Sequence, residues 1–429
     1  MAALRARGHT VAAAKVGPDY IDPGYHALAT GRPGRNLDSW ICGEDRIAPL
    51  AGRAAAGADL LVIEGVMGLF DGAATGGPEA STASVARLLD APVVLVIDAS
   101  AMSRSVAALV HGYTSFDPDL RVAGLVLNRV GSPGHLELLH EALEPLGVPV
   151  LGALYRDDAW TWRDRHLGLV PVVEQPAAIA ASLDRLAEAT ARSVDLDALV
   201  ALARSAPPRT VPDPPLPARA GAARVAVGAG PAFSFVYPDN LEALVAAGAE
   251  LLPFDPLSDP ALPEGSQALY LGGGFPEVFA PRLAANEPLL ADVRARVGQG
   301  LVTWAECGGL LFLSRSLDGA SLTGAVPADA RMSDRLVLGY RQATVRRDMP
   351  LAAVGSVLLG HEFHYSTTDP PGDALELDGR SGRSLGGFAT PRLLASYLHL
   401  HFGGDPGPAA RFVAVAGSPD GDLNGAGVR

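Results

Sequence analysis

The chain of 429 residues is 48% hydrophobic, which is enough material for two domains that each bury a core of their own. Its formal net charge of -13, without a cluster of basic residues, excludes nucleic acid and anionic membrane surfaces as the main partner. The two cysteines lie in different halves, and no signal peptide or apolar run of membrane-spanning length is present. We therefore predict a cytoplasmic protein without a disulfide framework.

Alternating strands and helices are predicted over residues 1–204. Apolar runs predict the strands, and patterns such as HLELLHEALEPLG at 135–147 predict helices between them. Strands that are apolar on both faces are typical of a doubly wound parallel sheet covered by helices. The strand-like runs are HTVAAAKV (9–16), LLVIEGVMG (60–68), VVLVID (93–98), VAGLVLNRV (122–130) and VPVLGAL (148–154).

Acidic residues follow the first two of these runs. Glu64 ends an apolar strand, and a carboxylate at the carboxyl end of a parallel strand is well placed to hold Mg²⁺ near phosphates. Asp19 and Asp22 follow the strand of Lys15, and Asp71 follows Glu64. Isolated loop aspartates form turns more often than they bind ligands, and a glutamate at a strand end can simply be solvated, so these alternatives stay open.

A proline-rich segment separates the two halves of the chain. Residues 205–221, SAPPRTVPDPPLPARAG, have no apolar periodicity and predict an extended linker. Beyond it, residues 222–416 predict a second α/β domain whose later strands are antiparallel. Residues 417–429 are rich in Gly and Asp, and we expect them to be disordered. The strand-like runs are ARVAVGAG (223–230), AELLPF (249–254), ALYLGGG (268–274), LVTWAEC (301–307), VLGYRQATV (337–345), SVLLGHEFHYS (356–366) and LLASYLHLHF (393–402).

Cys307 is a candidate nucleophile. In LVTWAECGGLLFL an apolar strand ends at this cysteine, and Gly308 and Gly309 begin what we predict to be an amphipathic helix. A sharp turn from strand to helix exposes one side chain, directs backbone N–H groups toward a developing oxyanion and places a helix N-terminus beneath a thiolate. The alternative is a buried structural cysteine, which is the commoner role for this residue type.

Two further segments favour the catalytic interpretation. The glycine loop in ALYLGGGFPE provides Gly273 and Gly274, which together with Gly308 are candidate oxyanion donors. The segment ASYLHLHF provides His399 and His401 as candidate bases. A cysteine, oxyanion glycines and a histidine are the parts that acyl transfer requires.

A zinc site is the rival interpretation for the histidines near the C-terminus. The segment GHEFHYS at 360–366 lacks the HExxH spacing that places two histidines on one helix face, so we do not favour it. Glu362 in that segment could orient a histidine or serve a structural role.

Six segments, spread over almost the whole chain, resemble the cobyrinic acid a,c-diamide synthases and their cobalt-free counterparts, the hydrogenobyrinic acid a,c-diamide synthases. The resemblance implies a dethiobiotin-synthetase-like doubly wound sheet of the P-loop synthetase type, followed by a class I glutamine amidotransferase-like α/β domain. It also implies amidation of the a- and c-acetate carboxylates of the corrin ring in cobalamin biosynthesis, with glutamine and ATP as co-substrates and Mg²⁺ as cofactor. The segments are KVGPDYIDPGYH (15–26), EGVMGLFDG (64–72), YLGGGFPE (270–277), AECGGL (305–310), GHEFHYS (360–366) and SYLHLHF (396–402).

The resemblance implies two half-reactions. In the C-terminal domain Cys307 would attack glutamine with His399 as the base, since His399 aligns with the YLH element of the related cobyric acid synthases. The ammonia would pass internally to the N-terminal domain, where ATP phosphorylates a ring carboxylate and ammonia displaces the phosphate. Related glutaminases carry a glutamate two residues after this histidine, where this chain has His401, so we expect a dyad or a different orienting group.

The resemblance also assigns roles in the N-terminal domain. Glu64 and Asp19 would be the metal ligands, and Asn128 would read the adenine edge. Tyr20, Tyr25 and His26 are expected to line the corrin site. The residues expected to bind ATP or the ring substrate are Lys15, Asp19, Asp22, Glu64, Asp71 and Asn128.

A phosphate loop is missing from the sequence. The related enzymes begin with a strand and a GxxxxGK[ST] loop, whereas Lys15 is the only lysine here and is followed by Val16. The segment MAALRARGHTV resembles the end of the helix that follows such a loop. We expect that one strand, the loop and most of a helix are absent, that neighbouring strands lack a partner, and that this chain binds ATP weakly.

Several alternatives remain open at this point. The chain could retain only glutaminase activity, or be a non-catalytic nucleotide- or tetrapyrrole-binding protein. A stand-alone cysteine hydrolase would leave the N-terminal motifs without a role, and cobyric acid synthase is the nearest enzyme rival. The sequence does not determine whether the ring contains cobalt, and it leaves a homodimer open.

Overall fold

The computed structural model describes residues 1–73, 80–157, 164–165, 168–207 and 212–418. These residues form two compact units, the first from segments within 1–213 and the second from Pro214 onward together with Trp40–Arg46. Part of the predicted linker, residues 208–211, and nearly all of the predicted tail lie outside the described residues. No described helix is both long and apolar enough to cross a membrane.

The first unit alternates helices with parallel strands, as predicted from the apolar runs. Its strands are β1 (Val11–Val16), β2 (Arg35–Leu37), β3 (Leu60–Glu64), β4 (Val93–Asp98), β5 (Val122–Val130), β6 (Val150–Tyr155), and the short β7 (Asp164–Arg165) and β8 (Gly168–Leu169). Its helices are α1 (Ala2–Ala6), α2 (Asp22–Thr30), α3 (Ser39–Cys42, which continues into the second unit), α4 (Glu44–Ala55), α5 (Thr82–Leu89), α6 (Ser105–Ser115), α7 (Pro133–Leu143), α8 (Pro176–Ser193) and α9 (Leu196–Arg204), with 3₁₀ turns at Glu144–Leu146 and Val172–Glu174.

The main strands of the first unit form two separate parallel sheets, ordered β2-β1-β3 and β4-β5-β6. Among the described residues, β3 pairs only with β1 and β4 pairs only with β5. Val96 on β4 is 67% exposed, which is unusual because parallel strands are normally buried on both faces.

The second unit begins a new alternation of strands and helices after the proline-rich segment. Its strands are β9 (Ala223–Gly228), β10 (Ala249–Phe254), β11 (Ala268–Leu271), β12 (Val302–Glu306), β13 (Ser316–Leu317), β14 (Ala320–Ser321), β15 (Asp329–Val345), β16 (Val357–Asp369), β17 (Leu375–Gly379), β18 (Gly382–Gly386), β19 (Phe388–Thr390), β20 (Leu393–Ser396) and β21 (His399–Leu400). Its helices are α10 (Pro238–Ala247), α11 (Pro276–Ala285), α12 (Glu287–Gly298), α13 (Gly308–Leu313) and α14 (Gly407–Gly417).

Two sheets organise the second unit. A six-stranded sheet has the order β10-β9-β11-β12-β20-β19 and is parallel except for the β19–β20 pair. The second sheet is built on the long antiparallel pair β15–β16, which β17 and β21 extend. The prediction of α/β architecture with an antiparallel C-terminal part is therefore confirmed.

Two local predictions were wrong. The run LLASYLHLHF is not one strand, because β20 joins the parallel sheet beside β12 whereas β21 pairs antiparallel with β16. The chain changes sheet between Ser396 and His399, and this change delivers the histidine to the end of β12. Helix α13 is not amphipathic, because all six of its residues are buried.

The aromatic side chain of Trp304, three residues before Cys307, is central to the core of the second unit. It is fully buried, stacks on Tyr270 with ring centroids 4.0 Å apart and also contacts Phe402. We expect Trp304→Ala to lower the free energy of unfolding by about 3–5 kcal/mol, because it removes a large side chain and leaves a cavity. Val245→Ala, at a half-exposed position on α10, is the control and should change it by less than about 0.5 kcal/mol. Equal urea midpoints for the two variants would contradict this assignment.

Candidate active site

Cys307 lies at a sharp turn between β12 and α13. Its backbone has φ 45° and ψ −96°, a conformation that L-residues other than glycine rarely adopt. Such strain costs about 1–3 kcal/mol and persists only where the surroundings enforce it. The predicted strand-turn-helix geometry at this cysteine is therefore present in the structure.

The glycines beside Cys307 allow three backbone segments to meet. A Cβ atom at Gly308 would lie 3.0 Å from the backbone nitrogen of Gly274, and one at Gly309 would lie 2.6 Å from the carbonyl oxygen of Leu271. A Cβ atom at Gly273 would lie 2.6 Å from Cε1 of His399. Larger residues at these positions would push apart the cysteine turn, the glycine loop and the histidine.

The structure corrects one of the predicted oxyanion donors. The N–H group of Gly273 already donates to the carbonyl of Phe235, at 3.1 Å, so it is not available to an oxyanion. The backbone of Gly274 adjoins Gly308, and the N–H group of Gly308 faces the Cys307 sulfur. These two N–H groups remain the candidates for the oxyanion site.

His399 is held between the glycine loop and a buried carboxylate. The Cε1 and Nε2 edge of its ring faces Gly273, and its Nδ1 lies 3.7 Å from Oε2 of Glu306. His361 on β16 stacks on the His399 ring with centroids 5.0 Å apart. Burial, with a contribution from the charge of His399, lowers the pKa of His361 well below its ordinary value, so His361 is neutral.

Glu306 was not predicted as a site residue. This residue directly precedes Cys307, and none of its surface is exposed. Its Oε1 accepts a hydrogen bond from the N–H group of Leu400 at 2.9 Å, and its Oε2 accepts one from the hydroxyl of Tyr270 at 3.2 Å. The available signal was an ionisable residue inside the apolar run LVTWAEC, since a buried charge needs partners.

His401 contacts residues other than those around His399. Its Nδ1 accepts a hydrogen bond from the N–H group of Gly403 at 3.0 Å and lies 3.4 Å from the sulfur of Cys42. Its Nε2 lies 3.9 Å from Oδ2 of Asp239. The described contacts thus place His399, rather than His401, beside the glycine loop of the candidate site.

Acidic side chains surround the Cys307 thiol. Burial raises the pKa of Cys307 far above its ordinary value, and the charges of Glu277 and Glu306 raise it further, whereas the Gly308 N–H group opposes the increase. Glu362 also contributes, and it is buried in an ion pair with Arg341 at 2.7 Å. The resting cysteine is therefore a protonated thiol that needs a base before it can attack.

A second cluster of charged residues lies in the first unit. Lys15 on β1 is directly opposite Glu64 on β3, and its Nζ lies 3.2 Å from Glu64 Oε1 and 2.6 Å from Asp22 Oδ2. Burial alone would lower the pKa of Lys15, but the hydrogen bond to Asp22 and the charge of Glu64 outweigh it and raise the pKa. Nε2 of His26 lies 2.5 Å from Glu64 Oε2. Burial alone would raise the pKa of Glu64, but His26 and Lys15 lower it.

Asp19 lies next to this cluster. Its Oδ1 accepts hydrogen bonds from the N–H groups of Ile21 and Asp22, at 2.7 and 3.1 Å, where α2 begins. Burial and the neighbouring charge of Asp22 raise the pKa of Asp19 to about 6. A buried carboxyl group beside a second carboxylate is a suitable place for a cation.

The structure does not bring every predicted N-terminal residue into this cluster. Asp71 accepts a hydrogen bond from the N–H group of Gly68 at 2.9 Å, which is the turn-forming role left open above. Asn128 lies in the other parallel sheet, opposite Asp98, and its Oδ1 accepts from the N–H group of Arg129. The hydroxyl of Tyr25 donates to the carbonyl of Val170 at 2.7 Å.

The raised pKa of Cys307 has a measurable consequence. Alkylation by iodoacetamide, followed by mass spectrometry of the Cys307 peptide, should be slow at pH 8 and rise about tenfold per pH unit up to at least pH 10, because only the thiolate reacts. An unperturbed thiol levels off near its pKa of about 8.5. The Cys307→Ser variant controls for reaction at Cys42. A rate that levels off near pH 8.5 or lower would contradict the raised pKa of Cys307.

Each half of the chain matches a known domain family. Residues 224–407 match the CobB/CobQ-like glutamine amidotransferase domain, and residues 1–169 match the CobQ/CobB/MinD/ParA nucleotide binding domain. These matches cover the residues of the cysteine site and of the Lys15 cluster, respectively.

Curated relatives match nearly the full chain. A hydrogenobyrinate a,c-diamide synthase of Streptomyces coelicolor is 49% identical over 96% of this chain and 92% of its own length. A hydrogenobyrinate a,c-diamide synthase of Thermobifida fusca is 49% identical over 97% of this chain and 92% of its own length. A cobyrinate a,c-diamide synthase of a Synechococcus strain is 45% identical over 95% of this chain and 91% of its own length. The chain therefore belongs to the cobyrinate/hydrogenobyrinate a,c-diamide synthase family of glutamine amidotransferases.

Proposed function

We propose that this protein amidates the a- and c-acetate carboxylates of cobyrinic or hydrogenobyrinic acid, with glutamine as nitrogen donor and ATP as the source of activation. The observation that supports this most directly is the strained turn at Cys307 beside the glycine loop and His399. A cysteine that only fills a core has no need of such a backbone. Family membership supplies the substrate class.

The glutaminase half-reaction follows from the positions of these groups. His399 takes the proton of the Cys307 thiol, and the sulfur attacks the carboxamide carbon of glutamine. The N–H groups of Gly274 and Gly308 stabilise the oxyanion. His399 then returns the proton to the departing nitrogen, so ammonia leaves and a thioester remains. Water hydrolyses the thioester to glutamate and restores the thiol.

The synthetase half-reaction is assigned to the first unit. ATP would transfer its γ-phosphoryl group to a ring carboxylate, because an unactivated carboxylate is a poor electrophile, and ammonia would displace phosphate to form the amide. Lys15, held by Asp22 and Glu64, supplies a fixed positive charge for an anionic substrate group.

Mg²⁺ is the cofactor that this chemistry calls for. The described residues hold no group of three His, Cys, Asp or Glu side chains arranged as metal ligands. This fits Mg²⁺, which is usually held by one or two carboxylates together with substrate phosphates and water. Asp19 and Glu64 are the carboxylates that would hold it. Burial and the charge of Asp22 raise the pKa of Asp19, and a bound cation would offset both effects. When bound, the ion would neutralise charge on the phosphates.

The decisive experiment incubates the full chain with Mg-ATP and either glutamine or ammonium chloride, with cobyrinic and hydrogenobyrinic acids supplied separately. Mass spectrometry should show two added amide groups on one ring, and glutamate should appear only with glutamine. Cys307→Ala should abolish glutamate release and glutamine-driven amidation while ammonium-driven amidation persists, because the two half-reactions use different residues.

The other outcomes separate the alternatives. Glutamate release without amides would mean that only the glutaminase operates. Amides on side chains other than the a- and c-acetates would favour a cobyric acid synthase. Glutamate release that survives Cys307→Ala would refute the proposed nucleophile.

A pH profile tests the role of Asp19. A carboxyl group whose pKa is raised to about 6 carries a proton below that pH and loses it above, and the proton competes with Mg²⁺ for the carboxylate. At subsaturating Mg²⁺ and a fixed concentration of free ammonia, ammonium-driven amidation should therefore have an acid limb near pH 6. Asp19→Asn should remove this limb and lower kcat by about tenfold or more. Asp71→Asn, at the turn-forming position, is the matched control and should keep the limb. An unchanged profile in Asp19→Asn would exclude Asp19 from the reaction.

A further inference from the structure

A buried carboxylate connects the nucleophile segment to the histidine segment. Glu306 ends β12 immediately before Cys307, and its Oε1 accepts from the N–H group of Leu400, the residue directly after His399. The two partners are 94 positions apart in the chain. One side chain therefore ties the backbone beside the nucleophile to the backbone beside the base.

The second oxygen of Glu306 faces the ring of the base. Oε2 lies 3.7 Å from Nδ1 of His399, within ion-pair distance but longer than a hydrogen bond, and it also accepts from the hydroxyl of Tyr270. The opposite edge of the ring, with Nε2, faces Gly273. With Nδ1 directed to a carboxylate, we assign the thiol proton to Nε2.

Other charged and titratable groups near His399 are less suited to stabilising a positive charge on its ring. His361 stacks on it from β16 and is neutral, and the hydroxyl of Tyr237 contacts Nε2 of His361 at 3.0 Å. Asp239 lies near His401 rather than near His399. Glu277 and Glu362 also act on the Cys307 thiol, and Glu362 is paired with Arg341 at 2.7 Å. Glu306, with Oε2 3.7 Å from Nδ1, is placed to stabilise an imidazolium at His399.

We propose that Glu306 is the positioning residue of the glutaminase site, in place of the glutamate that related enzymes carry two residues after the histidine. It holds the Nδ1–H tautomer of His399 and stabilises the imidazolium formed when Nε2 takes the Cys307 proton. The proton returns from Nε2 to the departing ammonia. This inference rests on the proposed roles of Cys307 and His399.

The test measures glutamate release by the full chain, with ring substrate and Mg-ATP present, as a function of pH. Glu306→Gln keeps an acceptor for the Leu400 N–H group but removes the charge. We expect kcat to fall roughly 100-fold, as for loss of support to a general base. The acid limb of kcat/KM should move to lower pH by about one unit or more, because an imidazolium without a nearby carboxylate loses its proton more readily.

The controls distinguish positioning from structure. Tyr270→Phe removes the other contact of Oε2 without changing charge and should alter kcat less than about threefold while leaving the acid limb in place. A purely structural role for Glu306 would lower stability or kcat but would not move the acid limb. An unmoved limb in a folded Glu306→Gln variant would overturn the proposal.

A second variant decides the matter if Glu306→Gln does not fold. Glu306→Asp keeps the charge but withdraws it by one methylene, so the acid limb should stay while kcat falls about tenfold. Wild-type kcat in Glu306→Asp would overturn the proposal. Cys307→Ala, run in parallel, separates the two levels of inference, since glutamate release in that variant would refute the nucleophile itself rather than the role of Glu306.

Discussion

The strained backbone at Cys307 is the constraint on which the second unit depends. A φ of 45° at a non-glycine residue is retained only because packed neighbours leave no alternative. Behind the turn, β12 lies in a parallel sheet between β11 and β20, and the Cys307 N–H group donates to the carbonyl of Ser396 at 2.8 Å. In front of it, Gly309 packs so closely on Leu271 that no side chain would fit. The sheet and the glycines together hold the buried Cys307 in its strained conformation at the turn.

The same constraint explains which parts of the site were predictable. A strand that ends in Cys-Gly-Gly is a local pattern, because only glycine tolerates the close approach at Gly308 and Gly309, and the turn therefore followed from the sequence. The availability of a backbone N–H group is not local. Gly273 lost its predicted role because its N–H group bonds to Phe235, a residue 38 positions earlier in the chain.

Strand pairing supplied the information that the sequence lacked. The run from Leu393 to Phe402 is continuously apolar apart from its serine and histidines, so nothing in its periodicity marks the point where the chain leaves one sheet for another. In the first unit, Lys15 and Glu64 were recognised as important residues, yet their contact depends on the β1–β3 register. The candidate functional residues could be predicted from the sequence, whereas their contacts with one another depend on the fold.

The position of Glu306 also bears on why the resting thiol is inert. Burial raises the pKa of Cys307, and the charges of Glu277 and Glu306 raise it further, which by itself would impede attack. In the proposed mechanism Glu306 also faces the ring that receives the thiol proton, at 3.7 Å from Nδ1, so the same charge would accompany the imidazolium that forms. Under this proposal, proton transfer would become favourable when glutamine brings a carbonyl whose developing charge the N–H groups of Gly274 and Gly308 can stabilise. A site built in this way keeps its cysteine protonated until the substrate completes it.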